Sequence, residues 1–125
     1  MSPTTTIVTT RIGDCAVIAL PEDLSEPSLS RLLEAAQRTA TTTIPRSIVF
    51  EMSALKFADT TEFRSLMDIA DMIAMLGIKP VLAGLNPGII THLINANLQI
   101  GSLQFFLDLA EALMHLGVVA TEGET

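Results

Sequence analysis

The chain has 125 residues, of which 49% are hydrophobic, and carries a formal net charge of −7 with a pI near 4.5. This length predicts one domain. The acidic balance argues against nucleic acid as a direct partner, because a phosphate backbone is bound by clustered Lys and Arg. No apolar run approaches the ~20 residues that cross a bilayer, so we expect no direct membrane insertion. The first residues lack a basic stretch followed by an apolar one, which favours a cytoplasmic location over secretion.

The chain opens with two strand-like runs. Residues 7–12 alternate loosely between two faces, and residues 15–20 form a second apolar run that Pro21 ends. The two residues between them, Gly13 and Asp14, are typical of a tight β-hairpin turn. Cys15 lies in the second run, where we expect a buried and unreactive thiol.

A helix is predicted to begin near Pro27, because proline suits the first helical position. Apolar residues then recur with helical spacing and predict one buried face: Leu29, Leu32, Leu33, Ala36 and Ala40. The β-branched residues 41–43 and the following Pro45 predict that the helix ends there.

The remaining elements alternate between strands and helices. Residues 47–52 and 80–85 are short apolar runs typical of strands buried on both faces. The pair Asn86-Pro87 predicts a third helix through about Ala96. Residues 103–106 predict a last strand, residues 108–116 a final helix, and residues 121–125 a frayed tail.

This order predicts an α/β fold with a mixed, mostly parallel β-sheet, an N-terminal β-hairpin and about four flanking helices. We expect a single domain over residues 1–125, with an ordered core at roughly residues 5–118. No repeat or linker divides it.

The segment from Phe57 to Phe63 joins the strand of residues 47–52 to a second helix, predicted from Phe63 to Leu76. Asp59 followed three residues later by Glu62 is a capping-box pattern. Thr60 and Thr61 then lie in the first helical turn, where unpaired N–H groups and the helix dipole favour an anion. Two interpretations remain open here: the threonines only help to begin the helix, or one of them carries a phosphate.

The second helix, closed by Gly77, has a wide apolar surface. Its predicted core stripe consists of Phe63, Leu66, Met67, Ala70, Ile73 and Ala74, with Arg64, Asp68 and Asp71 opposite and Ser65, Ile69, Met72 and Leu76 on a third flank. Such width is consistent with deep burial, or with a partner-binding face, because methionine-rich surfaces adapt to partners.

Motifs for catalysis are missing from the sequence. We find no phosphate-binding glycine loop and no G-x-S-x-G turn. His92 and His115 lie on different predicted helices without Cys or carboxylates at ligand spacing, so we expect no metal site and no cofactor. Asp59 and Glu62 are better explained as a cap than as an acid/base pair. We therefore interpret the chain as a non-enzyme.

The order of elements resembles the STAS domain, the fold of anti-sigma-factor antagonists. Residues 47–53 (SIVFEMS), the pair Asp59-Thr60 at the start of a helix, and residues 76–89 (LGIKPVLAGLNPGI) carry the resemblance. The last of these is similar to a signature of the stressosome branch of the family. The resemblance covers roughly residues 7–116.

The resemblance implies a site and partners. In the family, a Ser or Thr after an Asp at this corner is phosphorylated by a partner serine/threonine kinase, which here implies Thr60, with Thr61 as second choice. The implied switch-loop and partner-binding residues are Ala58, Asp59, Thr60, Thr61, Glu62, Arg64 and Met72. An RsbS-type scaffold is implied, with an RsbT-like switch kinase, RsbR-like STAS paralogues and further copies of the chain as partners.

Two alternatives remain. The chain could act as a free anti-sigma-factor antagonist in a smaller binary switch, or as the STAS subunit of a lipid or anion transport system. The size of the assembly separates the first alternative from a scaffold, and association with membrane components separates the second.

Overall fold

The computed structural model describes residues 7–95 and 103–118. In chain order the elements are β1 (Val8–Ile12), β2 (Cys15–Ala19), α1 (Glu26–Thr42), β3 (Ser47–Glu51), α2 (Thr60–Met75), β4 (Lys79–Ala83), α3 (Pro87–Asn95), β5 (Gln104–Phe106) and α4 (Leu109–His115). The predicted order of strands and helices is confirmed, with ends displaced by a few residues. The predicted tail at 121–125 and the end of α3 near Ala96 lie outside the described residues.

The strands form one five-stranded sheet in the order β1-β2-β3-β4-β5. The opening hairpin is antiparallel, with Ile12 opposite Cys15 across the predicted turn. The other neighbouring strands are parallel, as their helical crossovers require. The sheet is therefore mixed and mostly parallel, as predicted.

The helices cover the two faces of the sheet unequally. Even-numbered strand residues such as Ile18, Ile48 and Leu82 are buried in one cluster with side chains of α1, α2 and α3. Odd-numbered residues such as Val17 and Val49 are buried in a second cluster with α4. Both faces of the central strands are thus buried, which explains their continuous apolar sequences. Within the described parts of the chain, no helix is long and apolar enough to span a membrane.

The buried face of α1 differs from the predicted stripe. Leu33, predicted in the core, is 37% exposed and Leu29 is half-buried, whereas Ser28, Ala35 and Thr39 are buried. The reason is the neighbouring helix: Leu29 and Leu33 turn toward α2 and line a groove with it instead of facing the sheet.

The stripe predicted for α2 was also partly wrong. Ile69, placed on a side flank, is buried, whereas Ala74 is exposed and Met67 is half-buried. The helix packs against α1 as well as against the sheet. Its buried arc therefore turns toward Ile69 and away from Ala74.

Cys15 is fully buried, as predicted. Burial and, to a lesser extent, the charge of Asp14 raise the pKa of its thiol to about 11. Because an unfolded chain ionises this thiol at lower pH than the folded one, the group destabilises the fold as pH rises from 9 toward 11.

Gly84 follows β4 at a position where the Glu51 side chain and the Ser53 backbone leave little room for a Cβ. Its φ is +80°, and a Cβ there would lie 2.7 Å from Oε2 of Glu51 and 3.2 Å from the backbone nitrogen of Ser53. Gly77 has a similar φ of +85°, but open space surrounds its missing side chain. Substitution of Gly77 therefore tests the cost of backbone strain alone, whereas substitution of Gly84 tests backbone strain together with steric overlap.

We predict that Gly77→Ala lowers the free energy of unfolding by about 1–2 kcal/mol, the penalty of a left-handed conformation for an L-residue. Gly84→Ala carries the same penalty plus the overlap with Glu51, and should lower the free energy of unfolding by at least about 1 kcal/mol more. Urea denaturation of both variants measures the difference. Equal losses would mean that Glu51 and Ser53 move aside freely.

Candidate functional site

The loop that leads from β3 to α2 is fastened to its neighbours by backbone hydrogen bonds. The N–H of Leu55 donates to the carbonyl of Met52 (3.0 Å), and the N–H of Lys56 donates to the carbonyl of Glu22 (2.9 Å). Leu55 is buried beneath this turn. The loop therefore enters α2 along a defined path beside the loop that follows β2.

The helix α2 begins with the predicted capping box. Oδ1 of Asp59 accepts a hydrogen bond from the N–H of Glu62 (2.7 Å), and Oε1 of Glu62 accepts one from the N–H of Asp59 (3.0 Å). The N–H of Phe63 donates to the carbonyl of Asp59 (2.9 Å), and the Phe63 ring is fully buried. Cap and ring together fix the position and direction of the first turn.

Thr60 and Thr61 are the first two residues of α2. Thr60 is half-buried and Thr61 is exposed. The cap engages the N–H groups of Glu62 and Phe63, so within the described residues the N–H groups of Thr60 and Thr61 have no acceptor. The Thr60 hydroxyl likewise makes no hydrogen bond to a described residue. A hydroxyl thus lies at the positive end of a sixteen-residue helix.

A cleft of about 660 Å³ opens beside this corner, at the edge where the parallel strands end. It is lined by Asp23, Lys56, Phe57, Ala58, Asp59, Glu62, Asn86, Gly88 and Ile89. The loops after β2, β3 and β4 all contribute to it. Three carboxylates and one Lys make the cleft acidic, in agreement with the net charge of the chain.

The two other loops have hydrogen bonds of their own at this edge. Oδ1 of Asn86 accepts from the N–H of Gly88 (2.7 Å) just before α3. Oδ1 of Asp23 accepts from the N–H of Ser25 (3.0 Å) and from the hydroxyl of Ser28 (3.2 Å). The backbone hydrogen bond from Ser25 lowers the pKa of Asp23. The N-termini of α2 and α3 therefore meet the same cleft.

The predicted site residues do not all lie together. Those from Ala58 to Glu62 form one continuous corner, and Arg64 is exposed one turn further along α2. Met72 is twelve residues from Thr60, about 18 Å along a helix that rises 1.5 Å per residue. It lines a separate groove of about 460 Å³ between α1 and α2 with Leu29, Leu33 and Ile69.

Sequence reasoning did not assign Asp23 or Lys56 to the site, and it included Phe57 in the segment before α2 without giving it a role. Phe57 is 66% exposed, although it is aromatic, and it lies beside Ala58 in the cleft. One available signal was the rule that loops after parallel strands converge at the carboxyl edge of the sheet. Applied to residues 21–24 and 53–59, it brings Asp23 near Phe57, where the structure has an isolated parallel bridge.

Metal-binding geometry is absent from the described part of the chain, where no three His, Cys, Asp or Glu side chains are grouped to hold an ion. The His115 ring packs against Phe106 with centroids 4.8 Å apart. Asp59 and Glu62 are engaged with the helix start. The fold and the site thus define a small α/β domain. Its distinctive feature is the N-terminus of α2, where Thr60 carries a hydroxyl directly after the capping residue Asp59.

Comparison with known proteins identifies the family. The family model described as the STAS domain matches residues 6–112, which is most of the chain. The chain therefore belongs to the STAS-domain family, and its mixed sheet and four helices match the STAS fold. No curated protein matches significantly.

Several solved structures are similar to this chain over most of its length. RsbS of Moorella thermoacetica, in a form with one serine replaced by glutamate, is 25% identical with a TM-score of 0.76, covering 90% of this chain and 96% of that one. A stressosome structure is also 25% identical, with a TM-score of 0.75 and coverage of 88% and 96%. The unphosphorylated anti-sigma factor antagonist SpoIIAA, at 13% identity, TM-score 0.70 and coverage of 91% and 99%, shares the fold.

The cap geometry predicts unequal roles for neighbouring residues. Asp59→Ala removes the acceptor of the Glu62 N–H and should lower the free energy of unfolding by about 1 kcal/mol, whereas Asp59→Asn keeps an acceptor and should lose less. Thr60→Ala should change stability by less than about 0.5 kcal/mol, because its hydroxyl bonds to nothing described. Urea denaturation measures all three. A loss for Thr60→Ala as large as for Asp59→Ala would make the hydroxyl structural.

Proposed function

We propose that this chain is a non-enzymatic partner-switching regulator. It acts as an RsbS-like stressosome scaffold that holds a switch serine/threonine kinase of RsbT type and releases it when Thr60 is phosphorylated. The switching takes place in the cytoplasm, in an assembly of this chain with RsbR-like STAS paralogues. Thr61 is the second choice for the phosphate.

The observation that carries the proposal is the position of Thr60 directly after the capping residue. The hydroxyl lies at the N-terminus of α2, where two N–H groups remain unused by the cap. A phosphate is favoured at such a helix end by both the dipole and the free donors. The modified domain therefore stays folded.

Similarity to proteins that assemble and switch supports the partner side of the proposal. RsbS and a stressosome structure are 25% identical over most of the chain. The RsbS form carries a glutamate in place of a serine, and a glutamate supplies part of the negative charge that a phosphate brings. Both likenesses favour a scaffold over a free antagonist. The likeness to SpoIIAA, at 13% identity, supports the fold alone.

The charge of the neighbourhood explains how phosphorylation releases a partner. Asp23, Asp59 and Glu62 already surround the corner, and Lys56 is the one cation lining the cleft among the described residues. A phosphate adds about −1.5 to −2 charges at pH 7. Little positive charge lies nearby to compensate for the phosphate. The new charge would therefore repel an acidic partner surface, and against an apolar partner surface it would have to be removed from water at a cost in binding free energy. Binding weakens while the fold is retained.

We predict that phosphorylation of Thr60 weakens kinase binding about a hundredfold, which corresponds to a loss of ~2.8 kcal/mol of binding free energy. The test incubates the protein with ATP and an RsbT-type serine/threonine kinase, locates the phosphate by mass spectrometry, and measures kinase affinity before and after by calorimetry. Thermal melting of both forms should show a folded domain.

Two variants serve as controls for this experiment. Thr60→Ala should fold and bind the kinase but never release it, whereas Thr61→Ala should be modified at Thr60 and release the kinase normally. Phosphate found only at other residues, or an unchanged affinity with Thr60 fully modified, defeats the mechanism. If release of the kinase depends on Thr61 and not on Thr60, then Thr61 is the phosphorylated residue of the switch.

A second prediction concerns assembly. We expect at least a homodimer of the chain alone and large mixed particles when RsbR-like paralogues are added. Light scattering at tens of micromolar protein measures both, with the paralogue alone as the control. A particle no larger than a binary complex would favour the free antagonist, and a strict monomer that forms no mixed particle would exclude the scaffold.

A further inference from the structure

The outer edge of β1 is the longer of the two sheet edges. The strand has five residues, of which the first four are exposed, whereas β5 at the opposite edge has three. Among residues 7–95 and 103–118, no strand pairs with the outer side of β1. Val8 is 55% exposed although it is apolar and β-branched.

The hydrogen bonds of β2 determine which peptide groups of β1 point outward. The N–H of Leu20 donates to Glu51 on β3 (2.9 Å), and the carbonyl of Asp14 accepts from Arg46 at the start of β3 (2.8 Å). Even-numbered residues of this strand therefore direct their peptide groups toward β3, and odd-numbered ones toward β1.

The register of the hairpin completes this assignment. The odd-numbered residues of β2 lie opposite Val8, Thr10 and Ile12, which therefore direct their own peptide groups inward to β2. The N–H and C=O groups of Thr9 and Arg11 must then point away from the sheet. These four groups form a template onto which another strand can pair.

Several devices that normally protect a sheet edge are missing from β1. The strand contains no Pro and no Lys, and its five pairs with β2 run without a bulge. Its one charged residue, Arg11, folds away: Nε donates to the carbonyl of Gly13 (2.8 Å) and Nη1 to that of Thr43 (3.3 Å). The guanidinium thus lies beside its own domain rather than across the edge.

We propose that β1 pairs in antiparallel fashion with β1 of a second copy of this chain, about a two-fold axis at Thr10. In this register Thr9 and Arg11 of each copy exchange hydrogen bonds with Arg11 and Thr9 of the other, which uses the outward groups of both. Thr10 lies opposite Thr10, and Val8 lies opposite Ile12. The two sheets become one sheet of ten strands.

Side-chain chemistry supports a second copy as the occupant. Ile12 packs against the cluster under α4, to which Cys15 and Val17 also belong. Thr10 lies opposite Val17, and Val8 shares its face because side chains alternate along a strand. The exposed Val8 of one copy then covers the half-buried Ile12 of the other. Apolar β-branched residues opposite each other, and a Thr opposite a Thr, are favourable cross-strand pairs.

Charge favours self-association at this edge over other surfaces. With a net charge of −7, two copies repel wherever their acidic surfaces meet. β1 contains no acidic residue, and the nearest, Asp14, pairs with Arg46 at 3.5 Å. A contact limited to two short strands buries less area than a permanent dimer needs, so the pairing is reversible and depends on concentration.

Disulfide trapping tests the register directly. At the two-fold axis the two Thr10 residues form a non-hydrogen-bonded pair with Cα atoms about 4.5 Å apart, within the range that a disulfide bridges. The two Val8 residues are four positions out of register, about 14 Å apart. Thr10→Cys should therefore cross-link to a dimer under mild oxidation by copper–phenanthroline, whereas Val8→Cys should not. Cys15 does not compete, because it is fully buried.

Sedimentation of the chain with native cysteine content provides the second measurement. Val8→Lys places a charge opposite Ile12 and should raise the dimer dissociation constant at least about tenfold. Thr60→Ala should leave that constant unchanged, so failure here is distinguishable from failure of the proposed kinase switch. Equal cross-linking of Thr10→Cys and Val8→Cys, cross-linking of neither, or a dimer insensitive to Val8→Lys would overturn the pairing.

Discussion

The parallel ladder of β2, β3 and β4 is the constraint on which the site depends. At the end of the ladder Ala19, Glu51 and Ala83 lie side by side at one level. Three loops must therefore leave the sheet at the same edge, and all three lead into helices, α1, α2 and α3. The N-termini of α2 and α3 meet at one cleft because the strands end together. Backbone topology alone determines this arrangement, whichever side chains line the cleft.

Features determined by local sequence were predictable. A two-residue turn containing glycine specifies the hairpin, and Asp59 with Glu62 specifies the first turn of α2, since each requires only residues within three positions of one another. The apolar runs at 47–52 and 80–85 indicate strands covered on both faces, because six residues suit a buried strand and are too few for a typical helix.

Features determined by distant neighbours were less accessible. Periodicity identifies an apolar arc on α2 but not its direction, which the contact with α1 turns toward Ile69 and away from Ala74. The same holds at the site. Asp23, Lys56 and Phe57 come together only because the loops after β2 and β3 are bonded across the sheet edge. Met72, plausible as a partner contact from its helical position, lies in another groove.

In the proposed switch, the reciprocal cap at Asp59 would also restrict which kinase can phosphorylate the Thr60 hydroxyl. A kinase that reads an extended segment must first unwind the first turn of α2, which means breaking both cap hydrogen bonds at about 1–2 kcal/mol. Only about one molecule in ten would present Thr60 at any moment. A kinase that recognises the folded N-terminus of α2 could instead use every folded molecule as a substrate. Under this proposal the cap would favour a kinase that binds the folded domain over one that recognises a linear sequence.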